Sequence, residues 1–141
     1  MSTAFTGAKL ALLLDGAVLV ALRDDIAAIP WPNYWDLPGG GREGGESPAA
    51  CVLRELQEEF GLALPADRLV HERAYPSMSH PGAVNWFFGG HLLHSEVTSI
   101  RFGDEGQDWR MMRVEEFLSR PDAVPHLQDR LRDWLNGDGE E

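Results

Sequence analysis

Cysteine is nearly absent from this chain, since Cys51 is the single one among 141 residues. One thiol cannot form an internal disulfide, and such a composition is typical of proteins that work in a reducing compartment. A catalytic thiol is usually activated by a neighbouring base, and no histidine lies close to Cys51 in the sequence. We therefore interpret Cys51 as a small residue that fills space.

Positive charge is also scarce. The 12 lysines and arginines are outnumbered by 23 aspartates and glutamates, which gives a formal net charge of −11. This balance argues against a nucleic-acid backbone or an anionic membrane as the main partner. A bound metal ion can reverse the local field at an acidic site. Small phosphorylated molecules are therefore still possible substrates, whereas the net negative charge disfavours binding of nucleic acid.

Long apolar runs are missing as well. No window approaches the roughly 20 apolar residues of a membrane span. The N-terminal segment lacks the basic flank of a signal peptide, and Asp15-Gly16 interrupts its apolar run. We expect a cytoplasmic protein, present as a monomer or a homodimer. The length predicts a single domain over residues 1–141, with a frayed tail at 137–141.

What the chain does have is a glycine-rich loop that runs into a helix, from Gly39 to Leu62. Ser47 is a good N-cap, Pro48 suits the first helical position and Gly61 suits the position after the last. Between these signals, apolar residues recur at helical spacing and form one face: Ala49, Val52, Leu53, Leu56 and Phe60.

Three carboxylates, Glu55, Glu58 and Glu59, fall on the other side of this helix. Like charges at this spacing repel one another and favour a counter-charge. Mg²⁺ binds carboxylate oxygens and commonly holds substrate phosphates as further ligands. The local chemistry thus indicates metal-assisted handling of a phosphorylated substrate. The alternative is an acidic helix that faces solvent behind a flexible loop.

The full spacing is more specific than the carboxylates alone. Gly40, Glu46 and the run Arg54-Glu55-Leu56-Gln57-Glu58-Glu59-Phe60-Gly61-Leu62 resemble the Nudix box at every fixed position, over residues 40–62. The resemblance implies an α+β chain with the Nudix fold, an α/β/α sandwich around a central mixed β-sheet. It also implies a hydrolase that uses Mg²⁺ or Mn²⁺ to cleave a diphosphate linkage in a nucleoside diphosphate derivative.

The same resemblance implies roles for single residues. Glu55, Glu58, Glu59 and the Gly39 carbonyl would bind the metal, and Glu55 could instead serve as the base. Arg54 would orient the glutamates, and Glu46 would act from outside the metal site or fix Arg54. Which carboxylate is the base stays open at this point.

Residues outside the box supply further candidates. Glu105-Gly106-Gln107 is similar to a segment of MutT-type Nudix enzymes, which makes Glu105 a candidate metal ligand and the best candidate to assist the attacking water; the alternative is a turn residue in an acidic loop. Arg23 is a candidate phosphate contact or a solvated charge at a strand end. Trp31, Tyr34 and Trp35 are nearby aromatic residues that could each stack on a base or complete the core, and Trp35 is taken as the substrate-binding candidate.

The substrate is less closely specified than the family. The short chain and the Glu105 segment resemble enzymes that cleave a nucleoside triphosphate, including oxidised guanine nucleotides, to the monophosphate and pyrophosphate. Pro76 lies 15 residues after Gly61, a spacing that resembles ADP-ribose pyrophosphatases instead, and a nucleotide sugar belongs to the same alternative. A Nudix domain that only senses a nucleotide would be expected to lose box glutamates, and none is lost here.

Hydrophobic periodicity and turn signals predict the remaining elements. Strands are predicted over 9–14 and 17–23, joined at Asp15-Gly16 by a type I′ hairpin turn, and over 68–74, 84–93 and 107–112. Helices are predicted over 114–119 and 125–135. No helix or strand is predicted for the acidic stretch 95–106.

Overall fold

The computed structural model describes residues 4–137, which form one sheet with helices packed against it. The strands are β1 (Phe5–Leu14), β2 (Ala17–Leu22), β3 (Trp35–Asp36), β4 (Gly39–Gly41), β5 (Leu69–Pro76), β6 (Val84–His91) and β7 (Asp108–Arg113). The α-helices are α1 (Pro48–Phe60), α2 (His94–Thr98), α3 (Val114–Ser119) and α4 (Pro125–Leu135), and a 3-10 turn covers Ala66–Arg68. The predicted tail 137–141 lies outside the described residues apart from Gly137.

The sheet is mixed, as predicted. Strand β1 runs parallel to β6 and antiparallel to β2 and β4, and the path through the sheet is β3-β2-β1-β6-β5, with β7 paired to β2. A strand in the middle of such a sheet is covered on both faces and therefore has apolar residues on both. Leu10, Ala11 and Leu12 of β1 are accordingly fully buried.

The two faces of the sheet form two separate cores, because successive side chains of a strand point to opposite sides. Leu10, Leu12 and Leu19 pack with Phe88 and the apolar side of α1. On the opposite face, side chains of the same strands pack with α3 and α4: Ala11, Val18, Val20 and Phe87. The α/β/α sandwich implied by the sequence is thus confirmed.

The predicted local signals are present at the hairpin and at both ends of α1. Asp15 and Gly16 have φ angles of 51° and 80°, and a type I′ turn requires positive φ at both central residues. The Ser47 hydroxyl accepts a hydrogen bond from the Ala50 N–H at 3.1 Å. Gly61 ends α1 in the left-handed conformation. The predicted helix is therefore confirmed at both ends.

The clearest differences from the prediction are at β1 and α2, while other predicted strands shift at their ends by one or two residues. Strand β1 begins at Phe5 rather than at residue 9, because its first residues pair with β4 and, after a register shift between Phe5 and Gly7, with β6. Helix α2 lies at His94–Thr98, within the stretch for which no element was predicted. It is held by Glu96, which accepts from the Leu93 N–H at 2.8 Å and from the Arg68 guanidinium at 2.7 Å. This contact joins segments far apart in sequence, so local patterns could not show it.

The described helices are short. The longest, α1, has 13 residues. Within residues 4–137, no helix combines the length and the apolar character that crossing a membrane requires.

Candidate active site

Helix α1 turns its acidic side toward the loop before it because its apolar side is fixed in the core. The fully buried side chains of that apolar side are Val52, Leu56 and Phe60. Glu55 and Glu59, one turn apart, therefore face the segment that contains β4. The Gly39 N–H donates to Glu59 Oε1 at 3.0 Å, so the end of α1 is joined directly to the glycine loop.

Gly39 and Gly40 allow this close approach. Gly39 has a φ of +134°, and a β-carbon there would lie 2.1 Å from the Ala8 carbonyl oxygen of the neighbouring strand β1. A β-carbon at Gly40 would lie 2.6 Å from Glu55 Oε2. Larger residues at these positions would displace either β4 or the Glu55 carboxylate.

Arg54 lies at the centre of the acidic cluster. Its Nε and Nη2 atoms donate to the two carboxylate oxygens of Glu46 at 3.0 and 2.8 Å, which is a bidentate contact. Its Nη1 donates to Glu55 and Glu58 at 3.2 Å each, and Nη2 also donates to the Gly41 carbonyl at 2.9 Å. One guanidinium therefore fixes the loop and three carboxylates relative to one another.

Glu46 is the carboxylate that Arg54 stabilises most. The hydrogen bonds from Arg54, followed by one from the Glu43 N–H at 2.8 Å, lower the pKa of Glu46 to about 2. These same contacts raise the pKa of the Arg54 guanidinium further. Glu46 is thus ionised, and its charge is matched by Arg54.

Glu59 is in the opposite situation. Its burial raises its pKa to about 7, against the smaller opposing effects of Lys9 and of the hydrogen bond from Gly39. Burial also raises the pKa of Glu55, although Arg54 acts in the other direction. The negative charge at Glu59 and Glu55 is therefore only partly balanced by the protein.

Lys9, Asp36 and Arg23 form a chain of ion pairs beside this cluster. Lys9 Nζ lies 2.9 Å and Arg23 Nη1 2.8 Å from the same oxygen of Asp36, which is buried. Burial alone would raise the Asp36 pKa, but the two cations outweigh it, so that the pKa is lowered. Lys9 Nζ also donates to the Leu37 carbonyl at 3.2 Å and to the Gly39 carbonyl at 3.4 Å.

A cavity of about 150 Å³ opens next to Glu59. Glu59 and Asp36 line one part of it, Arg23 and Asp24 another, and Glu105 with Gly106 a third. The structure thus brings Glu105, which is distant in sequence from the box, to the cavity that Glu59 lines. Arg23 also reaches this cavity, while its guanidinium is held by Asp36 and by the Pro30 carbonyl at 2.9 Å.

The loop that contains Glu105 is tied to the loop that follows β2. The Gly106 N–H donates to Asp24 Oδ2 at 3.2 Å. The Gln107 side-chain amide donates at 2.8 Å both to the Arg23 carbonyl and to Asn33 Oδ1. Glu105 is therefore held against the cavity by contacts of the two residues that follow it in the chain.

The prediction that Trp35 stacks on a substrate base is corrected by its position. Trp35 is 3% exposed and belongs to the core on the α3 and α4 side of the sheet. The Arg110 and Arg120 guanidinium groups lie 4.4 and 5.8 Å from the centre of its ring. A ring buried in this way has no face left for a base. Trp35 was placed by its nearness to the box in sequence, and its short strand β3 turns it inward.

Cys51 is fully buried within α1. Its Sγ lies 3.6 Å from the Gly40 carbonyl, and burial, followed by the charge of Glu46, raises the pKa of the thiol to about 11. A thiol in this environment stays protonated and is a poor nucleophile, in line with the interpretation of Cys51 as a filler residue.

Three residues of this site were missed from the sequence: Lys9, Asp36 and Gln107. Asp36 carried a usable signal, because an acidic residue between Trp35 and Leu37 in an apolar strand needs a partner when buried. Lys9 had the same kind of signal at the start of an apolar run. The role of Gln107 depends on a contact with Asn33 across 74 positions, which no local pattern reveals.

The cluster has the donor chemistry of a site for a hard divalent cation. Among the described residues, no three side chains of His, Cys, Asp or Glu stand together as a ready metal-binding group, because Arg54 holds Glu55 and Glu58 while Glu59 turns to Gly39. The available donors are nevertheless all oxygens, as Mg²⁺ and Mn²⁺ prefer. Glu55 and Glu59 also have raised pKa values, so a cation would supply charge that the protein leaves unbalanced.

Comparison with known families decides the assignment. The NUDIX domain model matches residues 6–135. The chain belongs to the Nudix family. The resemblance seen at residues 40–62 is therefore confirmed over nearly the whole sequence.

A sequence relative of this Nudix domain is the RNA pyrophosphohydrolase of Acidiphilium cryptum, 55% identical over 47 residues. The aligned stretch covers 33% of this chain and 27% of that enzyme, so the chain matches only about a quarter of the relative's length. The prediction of a pyrophosphohydrolase agrees with the family and with this relative.

Solved structures show the same fold. The MutT protein of Methanosarcina mazei Go1 superposes with a TM-score of 0.74 at 16% identity, over 99% of both chains. A bifunctional NMN adenylyltransferase/ADP ribose pyrophosphatase of Francisella tularensis, complexed with AMP and a manganese ion, gives a TM-score of 0.70 at 20% identity, over 96% of this chain and 42% of that one. At these identities the likeness extends to the fold alone.

Proposed function

We propose that this Nudix domain hydrolyses a phosphoanhydride bond of a small nucleotide with the help of Mg²⁺ or Mn²⁺. The preferred reaction is cleavage of a nucleoside triphosphate, oxidised or not, to the monophosphate and pyrophosphate. The observation that carries the proposal is the position of Glu59. It is a partly buried carboxylate with unbalanced charge, it lies next to the other box glutamates, and it lines a cavity that Glu105 and Arg23 also reach.

The residues that would hold the metal are Glu55, Glu58, Glu59 and Glu105 through their carboxylates and Gly39 through its carbonyl oxygen. Once bound, such an ion neutralises phosphate charge, orients the phosphates and lowers the pKa of coordinated water. Lys9 Nζ lies 3.4 Å from the Gly39 carbonyl, so this oxygen would have to be shared between the ammonium group and the metal.

The other side chains would position the metal ligands, bind phosphate and accept the proton of the attacking water. Arg54 sets the relative placement of Glu55 and Glu58, and Glu46 fixes Arg54 through the bidentate contact. Arg23 would bind a phosphate oxygen in place of the Pro30 carbonyl or beside Asp36. Glu105 would accept the proton of the attacking water, since it lines the cavity beside Glu59; Glu55, which contacts Arg54, is the alternative base.

Two other substrates, RNA and ADP-ribose, are each suggested by a specific observation. The Acidiphilium relative acts on RNA, but a net charge of −11 opposes the approach of a long polyanion. The Francisella structure belongs to an ADP ribose pyrophosphatase. The spacing of 15 residues between Gly61 and Pro76 also resembles that of ADP-ribose pyrophosphatases. Because Pro76 ends strand β5 and its carbonyl accepts from Arg130, its position already has a structural explanation.

The test is a Mg²⁺-dependent turnover screen with product identification. The panel contains nucleoside triphosphates, oxidised dGTP, ADP-ribose, a nucleotide sugar and a short RNA with a 5′-triphosphate. Release of monophosphate and pyrophosphate from a triphosphate is the expected result. AMP and ribose phosphate from ADP-ribose, or faster turnover of the RNA than of any mononucleotide, would replace the preferred substrate. Tight binding without turnover would instead make the domain a nucleotide sensor.

A further inference from the structure

A second cavity lies on the other side of the Arg23–Asp36 ion pair. Its volume is about 380 Å³, and it shares Arg23 and Asp36 with the cavity beside Glu59. The residues that give it its chemical character are Trp31, Met78, Ser79, Asn85, His126 and Leu127. Apart from Trp31, which the sequence already offered as a residue that could stack on a base, none of them was assigned a role above.

The two cavities differ in what they could hold. Sites for small organic ligands usually enclose about 300 Å³ or more, so the cavity of about 150 Å³ beside Glu59 suits phosphate groups but is too small for a whole nucleotide. The second cavity reaches the usual size. Because both include Arg23 and Asp36, a molecule with its phosphates at Glu59 could extend past this pair into the second cavity.

Trp31 is held at the second cavity in an unusual backbone conformation. Its φ is +53°, in the left-handed region that bulky residues rarely adopt and that tends to occur where function requires it. The ring is 38% exposed, and its centre lies 5.1 Å from that of Tyr34. The loop is fixed by hydrogen bonds from Tyr34 N–H to the Trp31 carbonyl at 3.3 Å and from Gln107 to Asn33 at 2.8 Å.

His126 lines the second cavity with its imidazole ring. Its ring centre lies 6.3 Å from that of Trp31. Burial, followed by the charge of Arg130, lowers the pKa of His126 to about 4, so the imidazole is neutral at physiological pH. A neutral imidazole has one nitrogen that donates and one that accepts a hydrogen bond.

Asn85 and Met78 complete the chemistry of the cavity. Asn85 lines the cavity, and its Oδ1 atom accepts from the Thr6 hydroxyl, so its amide nitrogen is not used in that contact. Met78 is 66% exposed, and a thioether packs well against aromatic rings. The cavity therefore offers an aromatic face, a flexible apolar side chain and hydrogen-bonding groups, which match a flat heteroaromatic ring with polar edges.

We propose that the second cavity binds the base of the nucleotide, with Trp31 stacking on the ring and the imidazole of His126 lying along its edge. This assignment rests on the proposed function, since it gives the substrate a position that runs from Glu59 past Arg23 to Trp31. It makes Trp31 and His126 the residues that determine which base is preferred.

The experiment measures binding in EDTA, without metal and without turnover. Nucleoside monophosphates with guanine, adenine or cytosine are compared with ribose 5-phosphate, which has the same phosphate and sugar but no base. For Trp31→Ala we expect the Kd of the preferred monophosphate to rise about ten-fold, the scale of one lost stacking contact. The Kd of ribose 5-phosphate should not change.

Further variants distinguish the effect of losing the Trp31 ring from the effect of changing the conformation of its loop. Trp31→Gly suits a positive φ and keeps the loop conformation, yet it should lose affinity as Trp31→Ala does. Trp31→Phe should retain most of it. His126→Ala should weaken one base more than the others, whereas His94→Ala, at an exposed histidine paired with Asp15, should have no effect.

The outcomes distinguish this proposal from the proposed function. Equal losses for the monophosphate and ribose 5-phosphate, or none for either, would overturn the assignment of the cavity to the base. If triphosphates are hydrolysed but their KM does not respond to Trp31→Ala, the base pocket fails while the hydrolase proposal stands. If base binding depends on Trp31 but no member of the panel is hydrolysed, the reverse holds.

Discussion

Glu46 and Glu59 lie on the two sides of one loop-helix segment, and their environments move their pKa values in opposite directions. Arg54 and a backbone N–H lower the pKa of Glu46 to about 2, whereas burial raises that of Glu59 to about 7. The first carboxylate has its charge matched by the protein; the second does not. The difference indicates a division of labour, in which the Arg54 side orders the loop and the Glu59 side is left to bind a cation.

The strongest test of this comparison is to remove the charge at Glu59. Glu59→Gln should lower kcat/KM in Mg²⁺ on the order of a thousand-fold, because the amide that replaces the carboxylate would no longer bind the metal. Glu58→Gln should have a comparable effect, with the circular dichroism spectrum of both variants unchanged. The matched control is Glu43→Gln, an exposed carboxylate 3.5 Å from Arg54. Near-normal rates for Glu58→Gln and Glu59→Gln would contradict the metal assignment.

The Arg54 side can be weakened without removing its charge. Arg54→Lys keeps a cation but cannot form the bidentate contact with Glu46 while also reaching Glu55 and Glu58. We expect a loss of roughly ten- to a hundred-fold in kcat/KM, the range typical of residues that orient metal ligands. An increase in the Mg²⁺ concentration needed for half-maximal rate should accompany it. Unchanged metal dependence would show that Arg54 does not orient the ligands.

A third variant changes only the space between the loop and the helix. Gly40→Ala would place a β-carbon 2.6 Å from Glu55 Oε2, so the carboxylate has to move. A displacement of this size should reduce kcat about ten-fold and lower the Tm. Gly45→Ala is the matched control, since a β-carbon there has no atom within 4 Å. If the two alanine variants behave alike, the placement of Glu55 against Gly40 does not matter for activity.

The smallest expected effect is on stability without metal. Between about pH 4.5 and 7, folded Glu59 retains a proton that the unfolded chain has lost, so this group lowers the free energy of unfolding as the pH rises through that window. Because Glu59 is partly accessible, we expect about 1–2 kcal/mol. Urea unfolding in EDTA should show Glu59→Gln gaining on the wild type from pH 5 to 7 and levelling off above. A constant difference over this range would contradict the raised pKa.

The elements that the sequence predicted well are those determined by neighbouring residues. Asp15-Gly16 sets its own turn, and Ser47, Pro48 and Gly61 set the limits of α1 through contacts within a few positions. The bounds of α3 and α4 also agree with the prediction. Short strands such as β3 were harder to place, because two residues hold too little pattern to show that Trp35 points into the core.

The candidate site divides in the same way. The box residues were found because their spacing along α1 is itself the geometry of the cluster. Three roles were missed because they depend on contacts between distant segments: those of Asp36, Lys9 and Gln107. Lys9 on β1 forms an ion pair with Asp36 on β3, and Gln107, just before β7, donates to the loop that follows β2. The pKa of Glu59 could not be anticipated either, since it depends on burial under segments far away in sequence.

Lys9 has one more consequence, because it is the only lysine in the chain. Its ammonium group joins Asp36 to the carbonyls of Leu37 and Gly39, and it lines the second cavity. An acylating reagent that reacts with ε-amino groups therefore has a single side-chain target, placed in the second cavity beside the Asp36 that both cavities share. The rate at which that one amine is labelled becomes a chemical reporter of whether the second cavity is filled.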